Sequence, residues 1–123
     1  MPTVDERAVR YARTITENVG TGEQRIALFT DYGRSRLIPY DIVTDSWCRE
    51  TMTITNDDPL SARLDAEWSI GFVSDGIDAK VRSQVTLTAD AEAFDLTWSV
   101  EAMDGEERVH TRTGHRRFAR DFI

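Results

Sequence analysis

Long runs in which apolar and polar residues strictly alternate constrain this chain more than any other feature. The clearest is Ala62, Leu64, Ala66, Trp68, Ile70 and Phe72, interleaved with Arg63, Asp65, Glu67 and Ser69. A period of two belongs to a β-strand with one face in a core and the other in water. After Ser74-Asp75-Gly76 comes a second run, Ile77, Ala79, Val81, Val85 and Leu87 against Asp78, Lys80, Arg82, Gln84 and Thr86. A third is Phe94, Leu96, Trp98, Val100 and Ala102 against Asp95, Thr97, Ser99 and Glu101. Successive runs joined by a few turn residues predict antiparallel neighbours.

The remaining elements follow from the turn signals. A first strand is expected from about Arg7 to Val19, ended by Gly20-Thr21-Gly22. Ile26 and Leu28 lie on the next, which should stop at Asp31-Tyr32-Gly33-Arg34-Ser35. Pro39 cannot donate to a ladder, so the segment from Arg36 to Tyr40 reads as an edge strand or strap. Trp47 to Ile54 makes a strand before the Asn56-Asp57-Asp58-Pro59 turn, and Asp104-Gly105 leads into a last strand from Arg108 to Phe118. No window carries convincing helical spacing, and no linker or repeat divides the chain. Residues 1–123 therefore read as one all-β domain, an antiparallel up-and-down meander of about eight strands. Strands this long on so small a chain should curl strongly or close into a barrel. Pairing of two such sheets across a dimer would bury the apolar face equally well. Leu64, Trp68, Ile70, Val81, Val85, Leu87, Leu96, Trp98 and Val100 are expected on one buried face.

Composition limits the partners. With 40% hydrophobic and 30% charged residues, the 123-residue chain fits neither a disordered nor a membrane protein. Its net charge of −7 argues against nucleic acid, which demands a basic field. Cys48 is the only cysteine, so no internal disulfide forms, and its place in an alternating run suits a small core hydrophobe. The N-terminus lacks a basic and then apolar leader, and no stretch approaches the roughly 20 apolar residues of a membrane span. A soluble cytoplasmic protein is the expectation. Lys80 is the sole lysine among many arginines, a bias of high-GC bacterial genomes.

No catalytic or metal-binding constellation emerges, and no cofactor is implied. His110 and His115 are an odd number of positions apart on one strand, so they face opposite sides unless Gly114 bulges. Ser69 and Ser83 lack the Gly-x-Ser-x-Gly elbow that presents a hydrolase nucleophile. The acidic residues of the polar faces, among them Asp65, Glu67, Asp95 and Glu101, need no explanation beyond solvation. Trp47, Trp68 and Trp98 are expected to point inward, as core filler or as the lining of a ligand cavity. Arg112, Arg116, Arg117 and Arg120 make a basic end that could meet an acidic partner surface. The outer strands, Val9 to Ile15 and Val109 to Phe118, offer unpaired edges, so a homodimer is expected.

Four segments carry a resemblance. They are Thr16-Glu17-Asn18-Val19-Gly20-Thr21-Gly22, Thr55-Asn56-Asp57-Asp58-Pro59-Leu60-Ser61-Ala62, Thr86-Leu87-Thr88-Ala89-Asp90 and the ending Arg117-Phe118-Ala119-Arg120-Asp121-Phe122-Ile123. From about Tyr11 onward the chain resembles the C-terminal β region of cocaine-esterase-like hydrolases, the CocE/NonD and X-Pro dipeptidyl-peptidase-related group. In that family the Ser-His-Asp triad belongs to an α/β-hydrolase domain that this sequence lacks. The resemblance therefore transfers no catalytic residue. It implies a packing module without its own activity, either free-standing or cut from a longer hydrolase, with itself or a separate hydrolase as partner.

Overall fold

Turns with left-handed backbone set where the strands begin and end. Asp75 (φ 42°) and Gly76 (φ 81°) form the tip between two long strands, the two-residue turn whose twist matches that of the strands it joins. Asp57 (φ 62°) does the same one hairpin earlier. At the next connection the Asp90 carboxylate accepts the backbone N–H groups of Glu92 and Ala93, both at 2.8 Å, and closes an Asx turn. Asn18 accepts from Gly20 and Thr21 in the same way.

The computed structural model describes residues 3–120. Its strands are β1 (Thr3–Arg7), β2 (Arg10–Glu17), β3 (Glu23–Leu37), β4 (Ile42–Thr55), β5 (Asp58–Ser74), β6 (Ile77–Ala89), β7 (Ala93–Asp104) and β8 (Glu107–Ala119). A single 3₁₀ turn at Ile38–Tyr40, carrying Pro39, links β3 to β4. From β3 to β8 every strand pairs antiparallel with its sequence neighbour. β1 and β2 share one lane, pairing respectively with the end and the beginning of β3. The result is one layer of sheet, and the meander read from the sequence is the fold.

Barrel closure is not formed. The hydrogen-bonded path runs from the β1/β2 lane to β8, and among the described residues those two ends do not pair with each other. The expected buried face differs as well. Its nine residues share one side in register, but Trp68, Ile70 and Val81 are exposed and none of the others is fully buried. The reason is architectural: a sheet hides its apolar side only against a second layer, and the described residues supply none.

Two expected boundaries change for one reason. The Asp31-to-Ser35 stretch does not stop its strand; the register shifts between Asp31 and Gly33, and β3 continues to Leu37. Opposite this bulge the first strand breaks at Ala8 and Val9 instead of running unbroken to Val19. Gly33 has φ 87°, and a Cβ there would lie 2.6 Å from the Arg7 carbonyl oxygen. Only glycine allows that approach. Asp31 locks the bulge by accepting the Gly33 N–H at 2.8 Å.

Gly33→Ala combines a left-handed backbone with a steric overlap and is expected to destabilise the chain by about 1–3 kcal/mol. Urea unfolding, with the midpoint lowered at unchanged slope, checks it; an unchanged midpoint would show that the bulge relaxes freely.

Candidate functional site

Cross-strand register assigns each side chain to a face, because directly opposed residues point the same way. One row runs Ile15, Ile26, Met52, Leu64, Leu87, Leu96 and Arg116 across β2 to β8. The next runs Arg13, Leu28, Glu50, Ala66, Val85, Trp98 and Gly114, and a third Tyr11, Thr30, Cys48, Trp68, Ser83, Val100 and Arg112. Ile70, Val81, Phe72 and Ala79 extend the same face toward the β5–β6 turn. This face is apolar from β3 to β7 and open to solvent.

Its relief is uneven. At one end a basin of roughly 390 Å³ is lined by Ile15, Ile26, Met52, Leu64, Leu87 and Phe94, among others. Toward the other end stands a ridge. Tyr32, released from the ladder by the bulge, stacks on Trp68 with ring centroids 5.9 Å apart. Beside them Ile70 is 55% exposed, Trp68 38% and Phe72 40%. Cys48 lies buried on this face, the small hydrophobe expected. Trp98 covers Gly114, where a Cβ would come within 2.7 Å of its Cη2.

The opposite face is charged and covers itself. Trp47 belongs here, paired with Ser69, and not with Trp68 and Trp98; the odd spacing from its neighbour Cys48 turns it outward. Its ring tilts against Phe29 at 6.1 Å, and Arg49 lies over both, at 5.4 and 5.5 Å. Arg10 and Arg82 flank the pair at 5.4 and 5.7 Å. Below this canopy Ser69 and Asp31 are buried, as is Val43 further along the strand. Arg7 donates to both Asp31 oxygens, at 2.8 and 2.9 Å, and also bonds Asp45. Arg34 and Arg36 each hold Glu6 at 2.8 Å. Arg7 keeps the Asp31 carboxyl below its ordinary range, and Arg34 and Arg36 do so for Glu6. Glu6 is thus engaged within the chain.

The arginines of the C-terminal strand divide. Arg112 and Arg116 lie on the margin of the apolar face, Arg116 with its guanidinium 5.6 Å from the Phe118 ring centre. Arg117 is on the charged face, bonded to Asp90 at 2.6 Å and Asp95 at 2.8 Å. Arg120 lies 5.0 Å over Phe94 and donates to the Asp90 carbonyl at 2.9 Å, fastening the residue that follows β8 to the β6–β7 turn. His110 and His115 take opposite faces; the bulge on β8 falls at Val109, opposite Ala102 and Met103, and not at Gly114. His115 meets Asp95 at 3.0 Å. Among the described residues no group of three His, Cys, Asp or Glu is placed to hold a metal, and no helix is long and apolar enough to cross a membrane.

The alternation marked the apolar face in the sequence. The basin and the Tyr32 contribution escaped it, because both depend on how lanes far apart in sequence curve together. The Asp31-Tyr32-Gly33 triplet was the available signal, a bulge that resembles a turn. No protein-family model, curated protein or solved structure matches this chain.

Asp90 is held down to about 2 from an ordinary 3.8, first by the Arg117 guanidinium and then by the Glu92 and Ala93 amides. A carboxyl depressed in the folded state stabilises above its unfolded value, and that contribution disappears as pH falls through the folded value. Arg63 depresses Asp65 in the same direction. The urea midpoint is therefore expected to be flat above about pH 5 and to fall from about pH 4 to 2. Asp90→Asn should lower the plateau and make the acid fall shallower; an identical pH profile would show the pair to be inert.

Proposed function

We propose that this chain is a non-catalytic β module that acts by association, with the apolar face of its sheet as the contact surface. The observation that carries this reading is the patch of large apolar side chains, Trp68, Ile70 and Phe72 along β5 with Val81 opposite Ile70 on β6, left in water by a single-layer sheet. Large exposed apolar patches mark interaction sites. The area agrees: a compact chain of 14.0 kDa exposes about 6,700 Å² by size scaling, whereas this one exposes 8808 Å². The resemblance to the C-terminal region of CocE/NonD-type hydrolases points the same way, since that region packs beside a catalytic domain. Self-association and association with a separate hydrolase both fit it.

A second reading, a small apolar ligand or a cofactor-free reaction in a cavity, is favoured by the basin alone. Trp47, Trp68 and Trp98 are not among its lining residues.

Ile70→Lys is expected to abolish association, read as mass by light scattering, while the far-UV circular dichroism of the sheet persists. Unchanged association would remove the face from the function. Acyl transfer needs an activated nucleophile and an oxyanion hole. No turnover of an activated ester is expected, and reproducible turnover abolished by one Ser, Cys or His substitution would overturn the non-catalytic assignment.

A further inference from the structure

We infer that the occupant of the apolar face is a second copy of this chain, seated about a two-fold axis that runs across the strands. The inference rests on the reading of that face as an association surface.

The relief of the face is complementary to itself. Basin and ridge lie on the same face at different heights along the same lanes, with Leu64 in the hollow and Ile70 and Phe72 raised on β5. A two-fold axis across the strands, passing near Glu67, keeps each lane opposite itself and reverses its direction. That operation lays the ridge of one copy into the basin of the other, an isologous contact that closes on itself. On β5 it sets Ile70 against the partner's Leu64, Trp68 against the partner's Ala66 and Phe72 against the partner's Ala62. In two of these three pairs a large ring meets an alanine, which lets two sheets interdigitate about 10 Å apart.

Charge and area agree. Between β3 and β7 the only carboxylates on this face are Glu50 and, at its far end, Asp104. Under the proposed axis Glu50 opposes the partner's Cys48, two residues (about 7 Å) along the strand from the partner's Glu50, and burying this pair of carboxylates is the main cost of the contact. Arg13 on β2 and Arg112 and Arg116 on β8 lie at the lateral margins, where a polar rim belongs. The excess exposure of about 2,100 Å² per chain over size scaling amounts to about 4,200 Å² for two copies, within the obligate-homodimer range. Edge-to-edge pairing is disfavoured, because β8 carries Arg108, Arg112, Arg116 and Arg117 and the opposite lane is broken at Ala8 and Val9.

Sedimentation at micromolar concentration is expected to give twice the chain mass of 14.0 kDa. In a Cys48→Ser background, chains with Ile70→Cys and chains with Leu64→Cys should form a covalent dimer when mixed and treated with a bismaleimide whose arm spans the roughly 10 Å between packed sheets. Neither should do so alone, because each introduced thiol and its own copy in the partner are offset by six residues along the strand, about 20 Å. A dimer that fails to cross-link in the mixture overturns the arrangement. A monomer that takes up an apolar fluorescent dye, with uptake lost in Leu64→Glu, overturns the second copy and leaves the face as an association surface for something else. A monomer that takes up no dye overturns both.

Discussion

Everything in this structure depends on a sheet that has only one layer. Its hydrogen-bonded ladder is complete from lane to lane, and the 17 residues of β5 extend over about 55 Å at strand rise. Backbone hydrogen bonds exchange for bonds to water and contribute little each, about 0.5–1.5 kcal/mol net. The main stabilisation of a β domain comes from apolar surface removed from water. In this chain most of that surface lies on one face, which the chain does not cover. Stability and association therefore draw on the same side chains.

The charged face shows what the chain can do unaided. Arginine guanidinium groups stack with two aromatic rings, and Asp31 and Ser69, which flank Trp47 in the same cross-strand row, are buried. Guanidinium groups suit this arrangement, since they stack on rings and bind carboxylates bidentately in one plane. Arg7 ties Asp31 on β3 to Asp45 on β4, from an edge strand with no backbone bond to β4. Long charged side chains act as a thin second layer. Short apolar ones such as Ala62, Ala66 and Val85 cannot, and the other face stays open.

The two faces are coupled at one place. The bulge at Asp31-Tyr32-Gly33 presents Asp31 to the charged side and frees Tyr32 to stack on Trp68 on the apolar side. The carboxylate that locks the bulge, bonded to Gly33 and paired with Arg7, thereby also positions the Tyr32–Trp68 stack of the apolar face. The same bulge breaks the outer lane into β1 and β2, shortening the edge that could recruit further strands.

The alternation of Ala62 to Phe72 and its successors determined the strands, their antiparallel order and the membership of the apolar face, because a period of two leaves no freedom about which residues share a side. Asp75-Gly76 and Asp104-Gly105 determined two hairpins by the same local logic. Tertiary structure decided what periodicity does not encode. Whether lanes far apart close into a barrel depends on accumulated twist and stagger, and here the ends stay apart. Whether Asp31-Tyr32-Gly33 turns or bulges depends on the strand opposite it, which closes tightly over Gly33. Trp47 lay one position out of phase with its apolar neighbour Cys48, and pairing with Ser69 committed it to the charged face. Local pattern sets which side of a strand is apolar; only the partners brought by the rest of the chain, or by another chain, set whether that side is buried.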